Sequence, residues 1–252
     1  MKREADAPSS NNITLVPKFI SGLKGDVANN IHFLDETHVV YPVGHNIVIY
    51  HLDEKTQKVF PCIEGTEGIT SMALSANKKW LAVAEKCEKT PIVTIYKVCD
   101  SDKKEDGSDA KKIDGKTLKK RKIILSKEID IQKSFISMAF APKNDRLLVT
   151  LSNEPEQMIF LWAVDKQRCL FSQNMHHPTG HAIGTQISFS NMDPNHILVT
   201  GNNTYKFFMV KETGLQMHPK TFSKKECAHL STNYTAHCWL PEGKILVGTD
   251  QG

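Results

Sequence analysis

One phrase of short strands and turns is written several times along this chain, and that repetition constrains the fold more than any other feature. Residues 135–171 carry its fullest copy. FISMAF, at 135–140, alternates: Ile136, Met138 and Phe140 point one way, and Phe135, Ser137 and Ala139 the other. Residues 141–145, APKND, are turn chemistry, because Pro fixes φ while Asn and Asp tolerate tight bends. Residues 147–151 read as a strand covered on both faces. A turn at 152–157 leads to a third strand through Phe160, Leu161 and Trp162. After a further turn, Cys169 opens a fourth.

The same phrase recurs at 69–96, 184–209 and 234–252, with a fainter copy at 29–50. The large apolar residue that closes each first strand falls at Phe33, Leu74, Phe140, Phe189 and Trp239, giving spacings of 41, 66, 49 and 50 residues. The long spacing contains a polar insert. A period of about 40–50 residues with four short strands per unit predicts an all-β chain of the WD-repeat β-propeller type, built of four-stranded antiparallel blades. The physical reason is packing: a small sheet apolar on both faces is stable only when neighbours cover both. The third strands end in Ile49-Tyr50, Ile95-Tyr96, Leu161-Trp162 and Phe208-Met209, where WD repeats carry Trp-Asp. His51, Lys97, Ala163 and Val210 replace the Asp, so the repeats are degenerate.

The expected layout is a disordered stretch at 1–12 and a partial propeller over 13–252. Residues 13–20 read as a latch strand for the last blade, with Pro17 suited to an edge. Blades follow at 29–60, 69–125, 135–171 and 184–217, and an incomplete one at 234–252. That amounts to about four and a half blades of a seven-bladed ring, so further segments are expected to complete the circle. Residues 100–122 interrupt the second blade with nine Lys or Arg and six acidic residues, and read as a solvated loop.

Charge bounds the partners. Lys and Arg number 32 against 28 acidic residues, a net charge of +4, which gives no case for nucleic acid over the whole surface. The polar start MKREADAPSSNN lacks a signal-peptide core, and no stretch has the length of a membrane span. Six cysteines without CxxC spacing point to a reducing, intracellular compartment.

Four features bear on chemistry. Lys119, Lys120, Arg121 and Lys122 form a short basic tract at the end of the polar loop, the sharpest candidate for protein contact. His176, His177 and His181 share a loop but offer too few ligands for a metal. Cys227, His229, His237 and Cys238 could supply four. However, His237 and Cys238 are adjacent on a strand and leave opposite faces, so a buried His and a small buried Cys are the expectation. Gly65-Thr66-Glu67-Gly68 is a connection between blades, and neither a phosphate loop nor a nucleophile elbow appears. No catalytic residue, cofactor or metal is expected.

Beyond the pattern, specific stretches resemble a known family. They are VANNIHFLD at 27–35, KTPIVTIY at 89–96, KKRKIIL leading into FISMAFAP at 119–142, ILVTGN at 197–202, and YTAH with ILVGTDQG towards residue 252. They resemble the N-terminal propeller portion of the cilia- and flagella-associated protein 57 family, WD-repeat proteins of motile axonemes. The resemblance runs from about residue 23 to 252. It implies a non-catalytic scaffold of the cilium or flagellum axoneme, one part of a large assembly, that helps position inner dynein arms and so influences beating. Partners would be inner dynein arm and regulatory-complex subunits, and tubulin for the basic tract. Nucleic acid and membrane are not among them. The competing readings are a nuclear or cytoplasmic WD-repeat scaffold, for example in ribosome assembly, and a propeller enzyme.

Overall fold

The computed structural model describes residues 19–88, 90–100, 116–125, 134–154, 156–175, 182–218 and 233–251. Nearly all of these residues that are ordered into elements are strand. β1 (His32–Phe33), β2 (His38–Val43), β3 (Asn46–His51) and β4 (Thr56–Pro61) form the first sheet, in that order. The second is β5 (Gly68–Leu74), β6 (Trp80–Lys86), β7 (Ile92–Asp100) and β8 (Lys116–Leu125). The third is β9 (Phe135–Ala141), β10 (Asn144–Ser152), β11 (Met158–Ala163) and β12 (Arg168–Asn174). The fourth is β13 (Ile183–Phe189), β14 (His196–Asn202), β15 (Thr204–Lys211) and β16 (Gly214–Met217). β17 (Tyr234–Trp239) and β18 (Ile245–Thr249) make a two-stranded fifth. Each sheet is an antiparallel meander, and consecutive sheets pack face to face as propeller blades do.

The seams between blades are the core. Along β11, Phe160 and Trp162 point into the seam with the second blade, and Ile159 and Leu161 into the seam with the fourth. The pleat alone produces this division, since successive side chains leave opposite faces. Size is matched across the gap: Ala73, Ala82 and Ala84 on one blade face Phe135, Phe160 and Trp162 on the next. The small residues leave room for the aromatic rings to reach the opposing sheet. Burial of each large side chain contributes about 1.5–3 kcal/mol. Trp162 also donates its indole N–H to Thr150 Oγ1 at 3.0 Å, so its polar atom is satisfied in the interior.

The alternation expected for residues 135–140 is broken at one point. Phe135 lies in the same seam as Met138 and Phe140, whereas Ile136 and Ala139 line the other. The cause is a β-bulge: Phe135 pairs with Ser152 and Ser137 with Leu151, leaving Ile136 as an extra residue. The bulge recurs in the first strand of three other sheets, with Thr70, Thr185 and Thr235 as the extra residues.

A second correction concerns residues 100–122, expected to be a loop. β7 runs to Asp100, and β8 begins at Lys116, with Asp100 opposite Lys116 and Cys99 opposite Thr117. Lys119, Lys120, Arg121 and Lys122 therefore belong to the outermost strand of the second blade. Leu118 is the reason: it is buried in the seam with the first blade and pins the strand, while Lys119 and Lys120 face solvent. An outer strand needs few apolar contacts and tolerates lysine at its free edge. The rest of the insert, residues 101–115, lies outside the described residues, as do 1–12. Of the expected latch strand, residues 13–18 lie outside them too. Ile20 is held beside the first blade, its N–H donating to Gln57 Oε1 at 2.8 Å and its carbonyl accepting from Gln57 Nε2 at 3.1 Å.

Candidate functional site

The basic tract is shaped by β8. Lys119 pairs with Lys97 and Lys120 with Tyr96, after which Lys122 pairs with Ile95 and Arg121 is the extra residue of a bulge. A bulge in an edge strand strengthens the local twist and interrupts the free row of backbone groups. Lys119 and Lys120 are exposed, and Lys116 Nζ lies 3.6 Å from Asp35 Oδ2 of the first blade. Among the described residues, the tract lies on an edge strand that pairs with β7 alone.

Of the histidine and cysteine groups singled out from the sequence, His176, His177, His181, Cys227 and His229 lie outside the described residues. His237 and Cys238 leave opposite faces of β17: His237 is buried and Cys238 exposed. The exposure of Cys238 corrects the expectation of a buried thiol: among the described residues, the seam with the fourth blade covers the His237 face of this sheet and leaves the Cys238 face open. His237 occupies the position held by Met72, Met138 and Ile187 in the other blades. Its ring is bracketed by two hydroxyls, Ser188 Oγ at 2.6 Å from Nε2 and Thr200 Oγ1 at 2.6 Å from Nδ1. Burial pushes the imidazole down to about 4, so it is neutral near pH 7.

A different polar cluster sits between the first two blades, and sequence reasoning missed it. His45 follows Gly44, whose φ of +56° closes the turn between β2 and β3. The β3–β4 ladder ends at Asn46 opposite Pro61, so His45 and Cys62 are its next rung, and the Cys62 N–H donates to the His45 carbonyl at 3.2 Å. Glu85 reaches the same place from β6 of the second blade and is fully buried. Its Oε1 accepts from the Ile63 N–H at 2.9 Å and from Thr66 Oγ1 at 3.1 Å, and its Oε2 from Thr94 Oγ1 at 3.4 Å. His45 Nε2 touches Thr66 Oγ1 and lies 3.8 Å from Glu85 Oε1. Burial first, then the Glu85 charge, holds the Cys62 thiol well above its ordinary range. The same two causes act on the Tyr96 phenol. The His45 side chain is 40% exposed and walls a cleft of about 460 Å3 that Gly22, Lys24, Glu67 and Gly68 also line.

The signal for this cluster was faint. The three residues are far apart in the chain, and no spacing links them. Aligned by ladder register, however, Glu85 takes the place of Ser152 and Gly201 in the next two blades. A carboxylate at a position otherwise small and uncharged marks the seam as unusual.

No protein-family model matches the chain. Cilia- and flagella-associated protein 57 of Mus musculus is 29% identical over 236 residues, covering 92% of this chain and 17% of that protein. The chain is similar to cilia- and flagella-associated protein 57. The similarity extends to Tetrahymena thermophila. Its protein 57 C is 26% identical over 247 residues, covering 93% of this chain and 17% of that protein. Its protein 57 A is 29% identical over 271 residues, covering 93% and 21%. The chain thus spans about a fifth of the length of the curated relatives it matches, and the resemblance read from the quoted stretches extends over almost all of it. Among solved structures, a chain of a crystal structure of the mitotic checkpoint complex aligns over 99% of this chain and 94% of its own, at TM-score 0.40 and 12% identity.

Proposed function

We propose that this chain is a non-catalytic scaffold segment of the motile cilium or flagellum axoneme, where it helps dock or position inner dynein arms and so tunes beating. The observation that carries the reading is the similarity to cilia- and flagella-associated protein 57 over more than nine-tenths of the chain in two distant organisms. The architecture suits the role. Blades joined through close-packed seams form a stiff body, and its outer strands and turns offer surfaces to partners without rearrangement. The basic edge of β8 is the contact favoured for an acidic neighbour, such as a tubulin tail or an acidic axonemal subunit. Lys119 and Lys120 stand in solvent on a strand whose inner side is fixed by β7.

Fractionation tests both parts. The tagged chain is expressed in ciliated cells, the membranes are stripped with detergent, and the axonemes are extracted with rising salt. Retention through detergent with release at high salt is expected, and crosslinks to dynein-arm subunits should follow. Release into the soluble cytosol or recovery in nuclei would overturn the ciliary reading. Lys119→Glu with Lys120→Glu should lower the salt needed for release; an unchanged profile would remove β8 from the contact.

A further inference from the structure

We propose that His45, Cys62 and Glu85 form a zinc-binding site that staples the first blade to the second. The imidazole nitrogen, the thiol sulfur and a carboxylate oxygen lie within 4.8 Å of one another. They arrive from a hairpin turn, the end of an outer strand and the neighbouring blade, so the fold as a whole assembles them.

The gap between His45 and Glu85 argues for an ion. At 3.8 Å, Nε2 and Oε1 are too far apart for a hydrogen bond. Two ligands on one tetrahedral zinc, each about 2.0–2.1 Å from the metal, stand about 3.3 Å apart. The pair stands at ion-pair distance, and a small inward shift brings it to the spacing of two ligands on one cation. All three donor atoms lie within 4.8 Å of one another, and His45, the half-exposed member, has room to turn towards a shared ion. A nitrogen, a sulfur and an oxygen make a donor set that zinc accepts, whereas calcium and magnesium require oxygen ligands.

A plainer account makes Glu85 a structural carboxylate that organises residues 63–66. The donors from Ile63, Thr66 and Thr94 fit that account, but all three are neutral. Glu85 thus carries a carboxylate into this seam, with the His45 ring 3.8 Å away at ion-pair distance, at a register position that Ser152 and Gly201 hold without charge in the next two blades. Buried charges are paired or bound to metal. Zinc would meet Glu85 and the Cys62 thiolate, whose proton leaves to solvent, and the site would be neutral with His45 uncharged. His45 would exchange its Thr66 contact for the metal, leaving Thr66 to donate to Glu85 and hold its carboxylate in place. Three protein ligands leave a fourth position for water, and the cleft beside His45 supplies both the water and a way in.

The site rests on the seam alone and is independent of the cellular role. The test uses the whole chain, stripped with chelator and then titrated with Zn2+, with Co2+ as a spectroscopic probe. One equivalent of Zn2+ should be retained through dialysis, and Co2+ should give a thiolate-to-metal charge-transfer band. Cys62→Ser should abolish that band, and His45→Gln should weaken Zn2+ binding by at least ~10-fold while leaving the far-ultraviolet circular dichroism unchanged. His45 is half-exposed, so its replacement does not threaten the fold. Absence of stoichiometric uptake by the parent chain would overturn the proposal. So would uptake with an intact band in both variants, because the ion would then sit elsewhere.

Discussion

Gln157 grips Gly184 by both of its backbone groups: the Gly184 N–H donates to Oε1 at 2.7 Å, and Nε2 donates to the Gly184 carbonyl at 2.8 Å. A side-chain amide thus stands in for one rung of a ladder and crosses from the third blade to the fourth. Gln186 does the same to His237, at 2.8 and 3.0 Å, from the fourth blade to the fifth. Gln57 does it to Ile20. Each amide satisfies a donor and an acceptor that would otherwise be stranded between sheets.

Gln157→Ala should therefore lower stability by about 2–4 kcal/mol, because two buried backbone groups lose their partners at once. Gln157→Glu keeps the shape but cannot donate to the Gly184 carbonyl when ionised, and should cost a similar amount. Urea unfolding should show a lower midpoint with an unchanged slope for both.

Gly201 admits no side chain. A Cβ there would stand 2.0 Å from the Ile183 carbonyl oxygen and 2.6 Å from the Thr185 nitrogen, both of them backbone at the bulge of the fourth blade. Gly201→Ala should destabilise by at least about 2–3 kcal/mol. By contrast, Gly25→Ala, where a Cβ meets nothing within 4 Å, should change little. Thermal unfolding of the pair separates a packing clash from a general effect of losing glycine.

His237 makes stability depend on pH. Its folded value of about 4 lies below the ordinary 6.5, so the unfolded chain binds the proton more readily. No stability is lost through this group above about pH 7. As pH falls through 6.5 towards 4, the folded state loses ground, by on the order of 2 kcal/mol between pH 7 and pH 5. His237→Met, which installs the residue found at positions 72 and 138, should flatten that slope. It should also lower stability at neutral pH by about 1–2 kcal/mol, because Ser188 and Thr200 lose a partner. Denaturation curves at pH 7, 6 and 5 for both proteins give the comparison.

Asp145 of the third blade accepts from Trp80 Nε1 at 3.0 Å and from Asn77 Nδ2 at 2.8 Å, both on the second. Asp145→Ala should cost about 1–2 kcal/mol, and Asp145→Asn less, since its amide oxygen can still accept from the indole. The melting temperature should fall by about 2–4 °C for each kcal/mol lost.

What could be read without coordinates was set by local periodicity. The strand at 147–151, covered on both faces, follows from its unbroken apolar run, and the blade pattern follows from the recurrence of such strands. What could not be read depends on pairing across strands. No Gly or Pro marks Ile136 as the extra residue, yet it reverses the facing of Phe135. The charge density at 116–122 hid a strand that Leu118, buried in the seam with the first blade, helps to hold. The meeting of His45, Cys62 and Glu85 is a contact between blades, on which the spacing of residues within a blade carries no information.

The extra residue in the first strand of four of the five sheets makes the blade, and not the strand, the smallest exchangeable cassette. Thr70, Ile136, Thr185 and Thr235 hold equivalent places, so insertion or loss of a whole repeat leaves the facing of every remaining side chain unchanged. Loss of Ile136 alone would swing Phe135 out of the seam filled by Ala73, Ala82 and Ala84 and towards the one behind it. Length variation in such a chain is thereby tolerated in units of one repeat and in the turns, while the opening strand of each blade stays fixed in length.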